Sequence, residues 1–258
     1  MKIDRLISGP RRHLLIRSAW IARYVLTVVC AFFVPCGTRA QNAASGSVPP
    51  PVKASIQDSR DANCKIVYLG IVGGLETSNN SRSGVVQIRD TLRELVYSDV
   101  CAKSFSPYIW PAGLHWVLEH FPAHAGPWTN DELANTPKVI IVGHSLGGWA
   151  ALSVARSLKR RNIPVELTIQ IDSVGLNDHT VPANVRAAAI FHARDILLFL
   201  TTKSIKTQDA SRTKLVDNVL VPHAGHESVT RDPRIRALVL STVDSLRGHS
   251  TLLDHSTE

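Results

Sequence analysis

The segment best suited to chemistry is a serine between two glycines at the end of a short apolar run. Residues 139–142 read VIIV, and Gly143, Ser145 and Gly147 follow in the pattern Gly-x-Ser-x-Gly. A helical run begins directly after the serine. Strand, sharp turn and helix together predict that the Ser145 hydroxyl stands above a sheet at a helix N-terminus, where the helix dipole favours developing negative charge. The pattern therefore predicts a nucleophile.

The residues beside this serine have steric roles. A side chain at Gly143 or Gly147 would collide with neighbouring backbone, because the turn is tight and Ser145 must adopt a strained conformation. His144 fills the variable position of the pattern, and we interpret it as structural and not as the base.

The order of apolar segments predicts an α/β fold. Strands alternate with amphipathic helices, which is typical of a parallel sheet covered on both faces. Strands are predicted in segments 65–74, 101–110, 138–143, 165–172, 185–193 and 214–222, and helices in segments 83–98, 114–121, 147–161 and 232–246.

Over about residues 65–246 the chain resembles the α/β-hydrolase superfamily, and most of all its compact lipase- and thioesterase-like serine hydrolases. The resemblance rests on the strings VIIVGHSLGG, IVGG, IDSVG and HAGHESVTRDPRI. It implies a compact α/β-hydrolase fold with about six mostly parallel strands. Two features depart from the superfamily pattern. The usual pair of antiparallel strands ahead of the first parallel strand is missing, and the segment 173–185 leaves no room for a large lid.

The resemblance implies the chain order nucleophile, acid, histidine. His226 is predicted as the base, since it follows the last strand and precedes the closing helix, and Gly225 gives its backbone room. His223 is the alternative. His192 lies inside an apolar strand and is interpreted as a core or edge histidine, and His179 as a surface loop residue.

Two aspartates compete for the acid position. Asp172 and Asp195 each follow a predicted strand, at the edge where α/β sheets place their sites. The commonest superfamily location favours Asp195, whereas the local string IDSVG is similar to compact members that keep the acid one strand earlier. Asp172 is predicted, with Asp195 as the alternative. Asp178 and Asp209 are interpreted as loop residues.

An oxyanion hole needs two backbone N–H groups directed at the substrate oxygen. Leu146, directly after the serine, is predicted to supply one, and Gly74, in the loop after the first strand, the other. Trp110, Trp116 and Trp149 could line an apolar acyl site, although aromatic residues at helical spacing are more often core.

The ends of the chain predict targeting and flexible segments. Residues 1–40 are predicted to be a signal peptide, with the apolar run 24–36 too short for a comfortable membrane span and a small-x-small cleavage site before Gln41. An uncleaved inner-membrane anchor is the alternative. A flexible linker is predicted at 41–62, the folded domain at 63–247 and a disordered tail at 248–258.

The formal charge of +8 comes mostly from this leader. Seven basic residues and one acid in positions 1–40 carry +6 of it. The basic character therefore gives no support for nucleic-acid binding.

Cys64 and Cys101 are the two cysteines that would survive cleavage, and both are predicted to sit just before strands that should be neighbours. An exported protein in an oxidising compartment would tend to pair them, whereas two separate buried thiols are the alternative. No metal or cofactor is implied, since the chain has no H-E-x-x-H, no paired C-x-x-C and no acidic cluster of ligand spacing.

Two functional hypotheses follow. The first is an exported serine hydrolase, periplasmic or secreted, that cleaves a small-molecule or lipid ester or a thioester. The second is a non-catalytic exported binding protein that retains the fold. An acyltransferase or an amidase would use the same triad, and the sequence does not indicate an oligomeric state.

Overall fold

A computed structural model describes residues 64–95, 98–124, 126–194 and 201–254. Eight strands lie in these ranges: β1 (Ile66–Ile71), β2 (Val100–Phe105), β3 (Lys138–His144), β4 (Val165–Ile171), β5 (Thr180–Val181), β6 (Val185–Ala193), β7 (Lys206–Thr207) and β8 (Lys214–Val221). Six of them form a fully parallel sheet in the order β2-β1-β3-β4-β6-β8. The short strands β5 and β7 form a separate parallel pair. The predicted α/β fold and six-stranded sheet are confirmed.

Five helices accompany the strands. They are α1 (Gly84–Glu94), α2 (Trp110–Glu119), α3 (Asn130–Leu133), α4 (Leu146–Lys159) and α5 (Pro233–Asp254), with short 3₁₀ turns at Pro107–Ile109 and Ser228–Arg231. Side chains of α2 and α4 pack into one apolar cluster, and side chains of α1 and α5 into another. The sheet therefore carries helices on both faces, as parallel sheets require.

The central strands β1 and β3 are largely apolar because both of their faces are covered. In β1, Val67 and Leu69 belong to the cluster on the α2 and α4 face, whereas Ile66 and Tyr68 belong to the cluster on the α1 and α5 face. Every residue of β1 and β4 is buried. In the edge strand β8, by contrast, every residue is exposed or half-buried.

The closing helix is longer than the sequence predicted. A disordered tail was expected from residue 248, but α5 continues to Asp254. Gly248 is a residue that often follows a helix end, but the segment 249–254 contains no proline. An existing helix gains one hydrogen bond for each residue it adds, and α5 continues through this glycine.

The predicted disulfide is confirmed. Cys64 and Cys101 are bonded, with their Cα atoms 5.6 Å apart. Parallel pairing of β1 and β2 brings them together, since Val67 is in register with Cys101. Cys101 lies inside β2 and not ahead of it. Both cysteines are at the amino-terminal ends of their strands, away from the carboxyl edge of the sheet.

The connection between β4 and β6 is as short as predicted. Residues 172–184 contain only the two-residue strand β5, which leaves no room for a large lid there. The predicted leader at 1–40 and linker at 41–62 lie outside the described residues. None of the described helices has the length and apolar character needed to cross a bilayer.

Candidate active site

The turn between β3 and α4 holds Ser145 in a strained conformation. Its backbone has φ 54° and ψ −123°, a region that residues with a side chain rarely adopt. A Cβ atom built at Gly143 would lie 2.1 Å from the Gly147 carbonyl oxygen, and one at Gly147 would lie 2.3 Å from the Ile71 carbonyl oxygen. Only glycine fits at these two positions, so the sequence pattern is a steric requirement of this turn.

Three side chains from separate parts of the chain meet at this turn. His226 Nε2 lies 2.9 Å from Ser145 Oγ, and His226 Nδ1 lies 2.6 Å from Asp172 Oδ2. The Ser145 residue follows β3, Asp172 follows β4, and His226 lies in the loop after β8. The carboxyl ends of parallel strands share one edge of the sheet, which is why the three residues meet there.

Asp172 is held in place by the neighbouring strand. It has a positive φ of 43° and is completely buried. Its backbone N–H donates to the Phe191 carbonyl at 2.7 Å, and its Oδ1 accepts from the Ala193 N–H at 3.2 Å. With Oδ1 occupied by β6, Oδ2 is the oxygen that contacts His226.

The hydrogen bonds fix the proton positions in the histidine ring. Since a carboxylate only accepts hydrogen bonds, the 2.6 Å contact requires that His226 Nδ1–H donate to Asp172. In the neutral ring, Nε2 then carries no hydrogen and can accept the proton of the Ser145 hydroxyl. The arrangement can remove the serine proton and hold it on a ring that a buried carboxylate stabilises.

The other predicted candidates lie elsewhere. His223 and His179 are exposed. His192 is half-buried, and burial lowers its pKa while Asp172 acts in the opposite direction. Asp195, the alternative acid, lies outside the described residues.

Asp178 was predicted to be a loop residue, and the structure places it in a loop but buried. It is 2% exposed, with Oδ2 accepting from Ser173 Oγ at 2.8 Å and Oδ1 from Thr202 Oγ1 at 2.5 Å. Gln170 Nε2 donates to the Asp178 carbonyl at 2.6 Å. These bonds hold the segment that directly follows Asp172.

The two predicted oxyanion-hole residues are neighbours. Leu146 is the first residue of α4, and the N–H groups of a first helical turn have no acceptor within the helix. A Cβ atom at Gly74 would lie 3.5 Å from Leu146 Cδ2 and 3.0 Å from Tyr108 Oη. The loop after β1 thus approaches the start of α4 beside Ser145.

Glu76 also contacts this site, although no sequence pattern indicates its partner. His144 Nδ1 lies 2.5 Å from Glu76 Oε1, and His144 Nε2 lies 2.8 Å from the carbonyl oxygen of His226. Glu76 and His144 are 68 positions apart, so spacing alone could not have paired them. His144 was predicted to be structural, and it lies in contact with the backbone of His226, the predicted base.

The tryptophans belong to the core or its margin. Trp116 is 7% exposed and packs edge-on to His120, with ring centroids 4.9 Å apart. Trp110 and Trp149 are partly buried against the same cluster.

One described group has the spacing of metal ligands. Ligand atoms of Cys64, Cys101 and His120 lie within 4.8 Å of one another. Because the two sulfurs are joined in a disulfide, neither is available as a thiolate ligand. A cavity of about 570 Å³ lies at the opposite end of the sheet from Ser145, with Lys138, Pro164 and Asn184 among its lining.

Comparisons with family models and with curated proteins find no match. Among solved structures, the chain is similar to the RedJ thioesterase of the prodiginine pathway in Streptomyces coelicolor, at 12% identity and a TM-score of 0.41, covering 81% of this chain and 98% of that one. It is also similar to an α/β serine hydrolase without a lid from Xanthomonas campestris, at 16% identity and a TM-score of 0.37, covering 69% of this chain and 81% of that one. A cutinase-like protein from a Cryptococcus species is similar at 15% identity and a TM-score of 0.38, covering 72% of this chain and 96% of that one.

These identities are low, so the function of the site has to be judged from its own geometry. The strand order, the strained turn at Ser145 and the helices on both faces are those of a compact α/β-hydrolase fold.

Proposed function

We propose that the protein is a serine hydrolase that cleaves a carboxylic ester or thioester through an acyl-serine intermediate. The observation that carries this proposal is the unbroken series of hydrogen bonds from Ser145 through His226 to Asp172. A serine hydroxyl is a poor nucleophile until its proton is taken, and a histidine oriented by a buried carboxylate is suited to take it.

The reaction has two halves. In the first, Ser145 Oγ attacks the carbonyl carbon while its proton moves to His226 Nε2, and the N–H groups of Leu146 and Gly74 stabilise the oxyanion. His226 then protonates the leaving alcohol or thiol, and the acyl group stays on Ser145. In the second half, His226 takes a proton from water, water attacks the acyl carbon, and the released proton returns to Ser145 Oγ.

Exposed apolar side chains around the site favour a substrate with apolar groups. Leu75 is 91% exposed and directly follows the oxyanion-hole glycine, and Leu176 is 77% exposed in the loop after β4. Tyr108 and Ile109, after β2, are 42% and 53% exposed. These positions follow the carboxyl ends of strands whose loops surround Ser145, which suits an aliphatic or aromatic ester.

We also propose that the protein is exported. The basic and then apolar leader in residues 1–40, with its small-x-small cleavage site, supports secretion. The Cys64–Cys101 disulfide is consistent with an oxidising compartment.

The test is a series of p-nitrophenyl esters of increasing acyl length, assayed on the wild type and on Ser145→Ala. We expect turnover by the wild type, a dependence on chain length, and no turnover above background by the folded variant. Equal rates for the two proteins would refute the proposal. A wild type that binds esters without cleaving them would favour the non-catalytic binding protein.

A further inference from the structure

We propose that Glu76 and His144 form a second hydrogen-bonded pair, which positions the base by holding the main chain of His226. The catalytic consequence rests on the proposed function, whereas the pair itself can be tested without it. The hydrogen bonds of the His144 side chain go to Glu76 and to the His226 carbonyl, and not to the Ser145 hydroxyl. Glu76 and His144 act through His226 and are therefore positioning residues.

The pair contacts both loops that carry the chemistry. His144 is 2% exposed, and its Nε2 lies 2.8 Å from the His226 carbonyl oxygen. The two imidazole rings are 4.7 Å apart between centroids and inclined at 44°. On the other side Glu76 lies two residues after Gly74, and its N–H donates to the Gly73 carbonyl at 3.1 Å. The pair thus joins the loop after β1 to the loop after β8.

The acceptors around His144 decide where its protons lie. A carbonyl oxygen only accepts, so the 2.8 Å contact to His226 requires a hydrogen on His144 Nε2. The contact between Nδ1 and Glu76 then contains one further proton, on either the ring or the carboxyl group. In both cases Glu76 favours the form of His144 that has a hydrogen on Nε2 and donates it to the His226 carbonyl. Asp172 has the corresponding effect on the ring of His226.

The charge state follows from the surroundings of Glu76. Burial opposes ionisation of this carboxyl group, but the hydrogen bond and charge of His144 bring the pKa of Glu76 below its ordinary value. The carboxylate is therefore the expected form of Glu76. The charged and titratable groups around the ring are Glu76 from the loop after β1, His226 from the loop after β8, and Asp172 beyond His226.

The space for the pair is made by one glycine. A Cβ atom at Gly73 would lie 2.8 Å from Glu76 Oε1 and 3.0 Å from His144 Nδ1. Any side chain at Gly73 would therefore collide with the two atoms of the Glu76–His144 contact. The first glycine of the IVGG string leaves room for the pair, and the second lies beside Leu146 at the oxyanion hole.

The kinetic test compares three variants with a matched control. His144→Leu removes both contacts, and Glu76→Leu removes the group that selects the donating form. We expect kcat to fall on the order of 10²-fold in both, with little change in KM, because a small displacement of a catalytic group has costs of that size. Glu76→Gln should recover most of the lost kcat, since its amide N–H can donate to Nδ1 and leave the hydrogen on Nε2.

The matched control is another histidine–glutamate pair. His115 Nε2 lies 3.3 Å from Glu119 Oε1 on the exposed face of α2. His115→Leu should leave kcat and KM unchanged. A folded His144→Leu with wild-type kcat would overturn the proposal, and so would a Glu76→Gln variant as slow as Glu76→Leu.

Nuclear magnetic resonance of ¹⁵N-histidine-labelled wild type tests the pair independently of turnover. We expect His144 to carry a proton on Nε2 and to show a second strongly downfield imidazole proton beside that of His226. The His144 signal should disappear in Glu76→Leu and the His226 signal should remain. A His144 ring without a proton on Nε2 would overturn the inference even if esters are hydrolysed. A wild type without turnover but with both signals would refute the proposed function alone.

Discussion

Asp172 and His226 lie 54 positions apart in the chain, yet Asp172 Oδ2 is 2.6 Å from His226 Nδ1. Asp172 is completely buried, whereas 21% of the His226 side chain is exposed. A buried carboxylate facing a partly exposed imidazole can stabilise the imidazolium that forms when serine gives up its proton, while the ring still meets substrate. The roles proposed for both residues follow from this contact.

The choice of base is tested by comparing two histidines of one loop. His226→Ala should lower kcat by several orders of magnitude, because no other described group is placed to take the Ser145 proton at 2.9 Å. His223→Ala should have a small effect, since His223 is exposed on the same loop. Steady-state kinetics on a p-nitrophenyl ester decide between them. A larger loss in the His223 variant would reassign the base.

The choice of acid is tested by isosteric amides. Asp172→Asn keeps the shape of the residue but offers an N–H to His226, which favours the wrong tautomer. A loss of roughly 10⁴-fold in kcat is expected from the equivalent change in a serine protease. Asp195→Asn should cost much less. If the ranking is reversed, the acid lies after β6 and the observed Asp172–His226 contact is not the catalytic one.

Much of this site could be predicted from the sequence because its signals are local. The apolar run before Gly143 marks a strand buried on both faces, and the two glycines mark a turn that only glycine allows. The ends of the strands could also be predicted. Because Asp172 and Asp195 each follow a predicted strand, their spacing did not show which of them is the acid. The Glu76–His144 contact has no local signal, since its partners come from different loops and meet only when the sheet forms.

The disulfide should contribute to stability without affecting catalysis. Cys64 and Cys101 close a segment with a sequence separation of 37, for which the chain-entropy model gives about 4 kcal/mol. Reduction, or the double change Cys64→Ala with Cys101→Ala, should lower Tm in calorimetry. The rate of ester hydrolysis below Tm should not change, because the bridge is at the amino-terminal ends of β1 and β2. Two free thiols in the non-reduced protein, detected by mass spectrometry, would contradict this.

Stability at acid pH should depend on Glu76. Burial raises the pKa of this carboxyl group and the contact with His144 lowers it, and the result lies below the ordinary 4.5. A folded-state pKa below the unfolded one means that the contribution to stability is present above about pH 4.5 and lost as pH falls through the folded-state pKa. In urea unfolding, the free energy of unfolding of Glu76→Gln should be lower than that of the wild type at pH 7, and the difference should become smaller at pH 3.5. Glu119→Gln, on an exposed face of α2, is the control for the effect of removing a carboxylate that is not buried. A Glu76→Gln deficit that is the same at both pH values would contradict the linkage.

The most direct measurement of the central claim is labelling by a fluorophosphonate probe, followed by peptide mass spectrometry. A serine activated by His226 and Asp172 should form one covalent adduct, located on Ser145. Labelling should be absent in Ser145→Ala and much slower in His226→Ala, with both variants folded by circular dichroism. A folded wild type that remains unlabelled, or that is labelled at the same rate after Ser145→Ala, would contradict the assignment of Ser145 as the nucleophile.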